Sequence, residues 1–368
     1  MALIVTMEIR PSRMPKDDPT WTFARATNPV IEGWIVRLIS ADGTEGLGYA
    51  SASPHLGTTF DTMKAVFDGI ADNLIGQSPF DLDAILDELD ARLANLNPIK
   101  AGIDCALHDL LARTRGVPLC DLFGGPVRSS VPILRTMAIK TPDEMAVQAQ
   151  RLVDDGYGYL KIKVHGDVDE DVACVKAIRE QVGQDIHLTI DANQSYTPKD
   201  AIAALNRMAA YDVELAEQPV SVNDLTGLKL VTDSVPALVE ADEGASSVAA
   251  IGTLVADRIV DAVSLKIPQL GGLRNALAAA RICAAGGVRC RLGGAVGPRL
   301  LTAQAMHLCA ALPSVGYACE LGEFVRLLDD PTEGIEVTDG MMTLPKGIGS
   351  GVTLSAVHGE STLAISYA

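Results

Sequence analysis

Hydrophobic and polar positions alternate along this chain in two rhythms, and the change of rhythm divides it. Over residues 1–125 the strand-like runs "LIVTMEIR", "GWIVRLISADG" and "EGLGYAS" come first, with a hairpin turn at "ADGTEG". Helical spacing of apolar residues follows at 58–75, 81–94 and 98–114, with Pro98 in the first turn of the last. The Gly/Pro/Ser-rich stretch 122–132 reads as a linker. From 131 onward short β-branched runs alternate with helical ones. The runs are "VPILRTMA", "YLKIKV", "IHLTIDA", "VELAEQP", "ALVEADE", "DAVSLKI", "VRCRLGG" and "GYACELG". The intervening helices are predicted at 142–155, 168–182, 198–210, 222–233, 246–255, 272–285 and 299–311. Seven or eight βα units imply parallel strands closed into an α/β barrel. An open doubly wound sheet ranks below it, because no Gly-rich dinucleotide fingerprint follows an early strand. The stretch "MMTLPKGIGSGVTLS" reads as a tail returning to the N-terminal unit.

Composition narrows the function. Of 368 residues, 48% are apolar and 21% charged, as in a globular enzyme, and the net charge of −17 argues against nucleic acid or an anionic membrane as partner. Cys105, Cys120, Cys174, Cys283, Cys290, Cys309 and Cys319 are scattered without a CxxC, which points to reduced, buried thiols in a cytoplasmic protein rather than a zinc or disulfide framework. The apolar N-terminal run lacks a basic segment before it, and no stretch reaches membrane-span length, so a leader or anchor is not expected.

The polar residues inside the strand runs carry the chemistry. In "YLKIKVHG", Tyr159, Lys161 and Lys163 share one face and Leu160, Ile162 and Val164 the other. Lys163, Asp191, Glu217, Asp242 and Lys266 end the second to sixth strand runs, with separations of 28, 26, 25 and 24 residues. Each step is one βα unit, so all five meet at the carboxyl mouth of a barrel, where active sites lie. Three carboxylates there repel one another unless a hard divalent cation, Mg²⁺ or in its place Mn²⁺, neutralises them. Lys163 and Lys266 would then flank the metal from opposite sides, and Lys161 beside Lys163 would lower the pKa of Lys163 toward that of a usable base. A metal between two opposed amines suits abstraction of a proton next to a carboxylate, through an enediolate intermediate. Read separately, each acid is a helix cap and each lysine a solvated stem.

In this order and spacing, "KIK", "DAN", "EQP", "ADE" and "SLKIPQLGG" resemble the enolase superfamily, in its muconate lactonizing enzyme-like subgroup. The resemblance spans nearly the whole chain. It implies an N-terminal α+β capping domain (1–125), a (β/α)7β TIM-like barrel (126–322) and a C-terminal segment (323–368) returning to the cap. It also implies Asp191, Glu217 and Asp242 as Mg²⁺ ligands and Lys163 and Lys266 as the acid/base pair. Lys161 would be an auxiliary lysine near the substrate carboxylate, with Asn193 and Glu243 in support, and the chain would form a homo-oligomer, a dimer or octamer. The mandelate racemase-like group is disfavoured, since "RCRLGGAVGPR" has no histidine at the seventh strand end.

The small-molecule carboxylate substrate is less defined. Loops at about 11–27 and 52–58, with Trp21, Phe23 and His55, are expected to cover it, and Glu320 and Glu323 of "ACELGEF" are candidates to face its distal part. That stretch lacks the Asp-x-Asp of dipeptide epimerases and is more similar to muconate-type cycloisomerases. Alternatively, Glu320 could receive an ammonium, as in amino-acid racemases or dehydratases, or pair with an internal cation. His165 reads as a loop residue. The readings carried forward are a muconate cycloisomerase-like isomerase or an amino-acid-derivative racemase/epimerase, a hydroxy amino acid dehydratase or o-succinylbenzoate synthase-like lyase, and, from another class, a Schiff-base barrel enzyme. A non-catalytic relative would have lost at least one of the five polar residues, and all five are present.

Overall fold

The structure, a computed structural model, describes residues 2–23, 26–355 and 365–367. An antiparallel sheet of β1 (Ile4–Pro15), β2 (Val30–Ser40) and β3 (Glu45–Ser51) carries α1 (Phe60–Ile70), α2 (Leu82–Arg92) and α3 (Asn97–Arg115). The strand Ile365–Tyr367 pairs with Met7–Ile9, bringing the end of the chain back to this cap. Part of the stretch expected as a loop from residue 11 is strand, since β1 pairs with β2 as far as Pro15. Among the described residues the C-terminal strand covers only residues 7–9 of β1, and prolines are tolerated along an uncovered edge. Helix α3 lies almost backbone to backbone on β3: a Cβ at Gly48 would stand 2.0 Å from the Gly102 carbonyl oxygen.

The larger unit is a curled parallel sheet. Its strands, in spatial and chain order, are β4 (Leu134–Met137), β5 (Tyr159–Lys163), β6 (His187–Asp191), β7 (Val213–Glu217), β8 (Leu238–Ala241), β9 (Ala262–Leu265) and β10 (Arg289–Leu292). Helices α4 (Pro142–Asp154), α5 (Val168–Val182), α6 (Pro198–Met208), α7 (Leu225–Thr232), α8 (Val248–Ala256), α9 (Leu273–Gly286) and α10 (Arg299–Ala311) alternate with them. Leu160, Ile162, Leu188, Ile190 and Leu292 are fully buried and belong to the main apolar core. The expected eighth strand, "GYACELG", is not a regular strand. It closes the barrel through isolated links: Leu134 N–H donates to Cys319 O at 3.0 Å, and Glu320 N–H to Leu292 O at 3.0 Å. The fold is a (β/α)7β barrel with an N-terminal cap.

The stretch 122–132 is more than a linker. A 3₁₀ turn spans Leu119–Phe123, and the strand Ser130–Pro132 pairs with Met341–Thr343. All seven cysteines are buried and unbridged. No described helix is long and apolar enough to cross a membrane.

Candidate active site

Parallel register aligns Lys163 with Asp191, Asp191 with Glu217, and Glu217 with Glu240. The sequence places Asp242 beside Glu217, but Glu240 takes that position, and Asp242 lies just past the end of β8, two residues further toward the mouth. Inward-facing residues of a strand repeat every second position, so Glu240 and Asp242 share the barrel-facing side at different depths.

Lysines thread these acids together. Lys161, 2% exposed, stands 3.0 Å from Glu217 Oε2 and 3.1 Å from Asp191 Oδ2, and also pairs with Glu320. Lys163 donates to Asp191 and, at 2.8 Å, to Asn193 Oδ1. Lys266, the residue after β9, donates to Asp242 from the far side of the cluster. A Cβ at Gly293 would lie 2.0 Å from Ser264 Oγ and 3.1 Å from Lys266 Cγ, so only glycine fits beside them. Asn193, at φ +42°, completes a brace across the mouth: its N–H donates to Asp191 Oδ1 at 3.0 Å and its amide to Glu243 Oε1 at 3.2 Å. Gln218 Oε1 accepts the backbone N–H groups of Asp242 and Gly244, both at 3.0 Å, which fixes the turn after β8.

The charges respond to this packing. Burial disfavours charge on Lys161, yet Glu217, Glu320 and Asp191 hold it well above the usual lysine range. Lys266 is likewise pushed up, against its burial, by Asp242 and Glu217. Despite burial, Asp191 is held well below the usual carboxylate range by Lys163 and Lys161. Glu217 goes the other way, to about 7, through burial and the neighbouring Asp191. Lys161 is shared among Glu217, Asp191 and Glu320. Burial also raises Asp242.

The donor set can be tested against a divalent cation. Among the described residues, no three acidic, histidine or cysteine side chains stand as a ready ligand set, and ammonium groups sit against the carboxylates. Glu217 Oε1 and Asp242 Oδ1, however, are buried with no hydrogen-bond partner. Hard oxygen donors left open beside Asp191 fit Mg²⁺ chemistry.

Of the remaining predicted residues, Glu320 joins the cluster through Lys161. Glu320 is buried against Lys161 and Arg291, accepts from Thr136 Oγ1 and Gly294 N–H, both at 2.9 Å, and is held well below the usual range against its burial. Glu320 thus pairs with internal cations, Lys161 and Arg291. Glu323 is also engaged, 3.2 Å from Arg135 and 3.5 Å from Arg326. Trp21 is buried under two cations, with Lys16 Nζ 4.3 Å and the Arg326 guanidinium 5.3 Å from its ring. His55 is exposed on the turn Pro54–Leu56. The side chain of Phe23 lies outside the described residues. His165 serves its loop, with Nδ1 2.8 Å from Asp171 and Nε2 3.0 Å from Glu170. Sequence reasoning missed Arg291, Glu240 and Thr136; Glu240 carried a signal, since it stands two positions before Asp242.

A capped barrel with acids and lysines gathered at its carboxyl mouth defines a class of enzyme. The family model "Mandelate racemase / muconate lactonizing enzyme, N-terminal domain" matches residues 5–124, and "Enolase C-terminal domain-like" matches 144–357. The chain belongs to the mandelate racemase/muconate lactonizing enzyme family of the enolase superfamily, in its muconate lactonizing enzyme-like group. It is 33% identical to the hydrophobic dipeptide epimerase of Enterococcus faecalis, over 96% of this chain and 95% of that one. It is 32% identical to a chloromuconate cycloisomerase of Delftia acidovorans, over 88% and 89%. A crystal structure of the dipeptide epimerase from Enterococcus faecalis V583 with Mg and L-Leu-L-Tyr superposes with a TM-score of 0.92 at 32% identity, covering 96% of this chain and all of that one. Like these relatives, the protein is an isomerase.

Proposed function

We propose that this isomerase inverts the carbon next to the carboxylate of an N-acylated amino acid, using Lys163 and Lys266 as acid and base on opposite faces. The observation that carries this is the arrangement of Lys163 and Lys266: they bond Asp191 and Asp242 of one cluster, from β5 and from the end of β9, with three strands between them. Inversion needs a proton removed on one face and returned on the other, and two amines so placed provide both. Asp191, Glu217 and Asp242 would hold Mg²⁺, or Mn²⁺ in its place, which would supply positive charge to stabilise the developing negative charge on a substrate carboxylate. Lys161 lies deeper and steadies Glu217 and Asp191.

The state of Glu320 supports an uncharged substrate nitrogen. Its carboxylate already meets Lys161, Arg291, Thr136 and Gly294, leaving it committed before a substrate ammonium arrives. An acyl-blocked amine makes no such demand. Muconate-type cycloisomerisation is the second reading, favoured by the "ELGEF" stretch and by the chloromuconate cycloisomerase relative. A Schiff-base mechanism with Lys266 or Lys163 as nucleophile is the reading from another class, and borohydride trapping with a carbonyl substrate would reveal it.

The test is α-hydrogen exchange in D₂O, followed by mass spectrometry over N-acyl amino acids, free dipeptides and muconates. Mg²⁺-dependent deuterium uptake into N-acyl amino acids with loss of optical purity is expected. Uptake that persists in EDTA, or lactone formation from muconates alone, would overturn the reading.

A further inference from the structure

The interior of this barrel holds an ion network where branched apolar side chains dominate in related folds. Arg291 on β10 is fully buried, and its Nε donates to both Glu240 oxygens at 3.0 Å. Nη2 donates to Glu240 Oε2 at 2.6 Å and also to Glu217 Oε2. Nη1 stands 3.4 Å from Glu320 Oε2. One guanidinium thus joins β10 to β7, β8 and the closing segment.

Stability alone does not explain such a pair. Burying an arginine and a glutamate costs desolvation that their attraction at best offsets, and apolar residues of similar volume often serve as well or better. What the network changes is the orientation of Glu217. Arg291 and Lys161 both bind Oε2, so the carboxylate cannot rotate freely, and Oε1 is left buried and without a partner. We propose that Arg291, anchored by Glu240, is a positioning residue that holds Glu217 with one oxygen tied down and the other presented to the cation. This rests on the Mg²⁺ reading above. A planar fork reaches two carboxylates at once, which a lysine ammonium at the same place does not.

The experiment is calorimetric Mg²⁺ titration of the wild type, E240L/R291M and R291K, each with a thermal melt. The double variant removes both buried charges and so avoids stranding either one. Weakening of Mg²⁺ binding by about 10–100-fold is expected in the double variant, with a cooperative melt retained, and a smaller loss in R291K. Unchanged Mg²⁺ affinity in either folded variant would overturn the inference while leaving the Mg²⁺ reading intact. Failure of both variants to fold would also overturn it, making the pair structural. Absence of Mg²⁺ binding in the wild type would instead overturn the reading on which it rests.

Discussion

Asp104, in the middle of cap helix α3, accepts the backbone N–H of Leu273 at 2.6 Å and so caps barrel helix α9 from another domain. The same carboxylate receives His108, whose Nδ1 is 3.1 Å away, and the N–H of Arg274 at 3.4 Å. A Cβ at Gly272 would lie 2.3 Å from Asp104 Cγ, so the two surfaces meet with no spare room. Asp104→Ala is expected to lower unfolding free energy by about 1.5–3 kcal/mol, the range for buried hydrogen bonds to a charged group. Urea denaturation measures it, and a loss near zero would mean the cap does not depend on this link.

If Lys163 and Lys266 act as the proposed pair, removing one should expose the handedness of the site. Lys163→Ala and Lys266→Ala are each expected to cut inversion by at least about 10²–10⁴-fold, the usual worth of a general acid or base. Each variant should still exchange deuterium into the enantiomer whose α-hydrogen faces the remaining lysine. Circular dichroism of the fold and NMR of each enantiomer read out both effects. Near-normal inversion in either variant would end the two-base assignment.

Asp191 touches Lys161, Lys163 and the N–H of Asn193. Asp191→Asn keeps the shape and removes the charge, so Mg²⁺ affinity should fall at least about tenfold. Calorimetry with Mg²⁺ alone decides this, independently of turnover.

A histidine gives a pH test away from the acid cluster. Partial burial disfavours protonated His165, but Asp171 and Glu170 outweigh burial and raise its pKa in the folded protein. A raised folded pKa means the contribution is fully present below the unfolded imidazole value and fades as pH rises through the folded one. His165→Gln should therefore lower Tm at acidic pH, with the gap to wild type narrowing at alkaline pH. A gap that widens with pH would contradict the sign.

The polar constellation was legible because each βα unit contributes one ionisable residue at nearly constant spacing. Lys161 and Lys163 stood out for a related reason, as charges alternating with apolar residues on a buried strand. Depth was harder to read. Arg289 and Arg291 share a face of β10, yet only Arg291 is buried, and its meaning depends on Glu240, 51 residues earlier in the chain. Pairing of Ser130–Pro132 with Met341–Thr343 joins segments with no local signal of each other. The eighth position read as a strand from the alternation of strand and helix runs, but only scattered main-chain links realise it.

The ammonium groups of Lys161, Lys163 and Lys266 give the buried acids counter-charges made by the chain itself. Such internal pairing would let the barrel assemble without an inorganic ion, unlike a zinc finger, where loss of metal is loss of fold. On the proposed Mg²⁺ reading, nascent protein would reach its final shape first and take up the ion later, and a chelator should silence the enzyme reversibly while its melting curve stays cooperative.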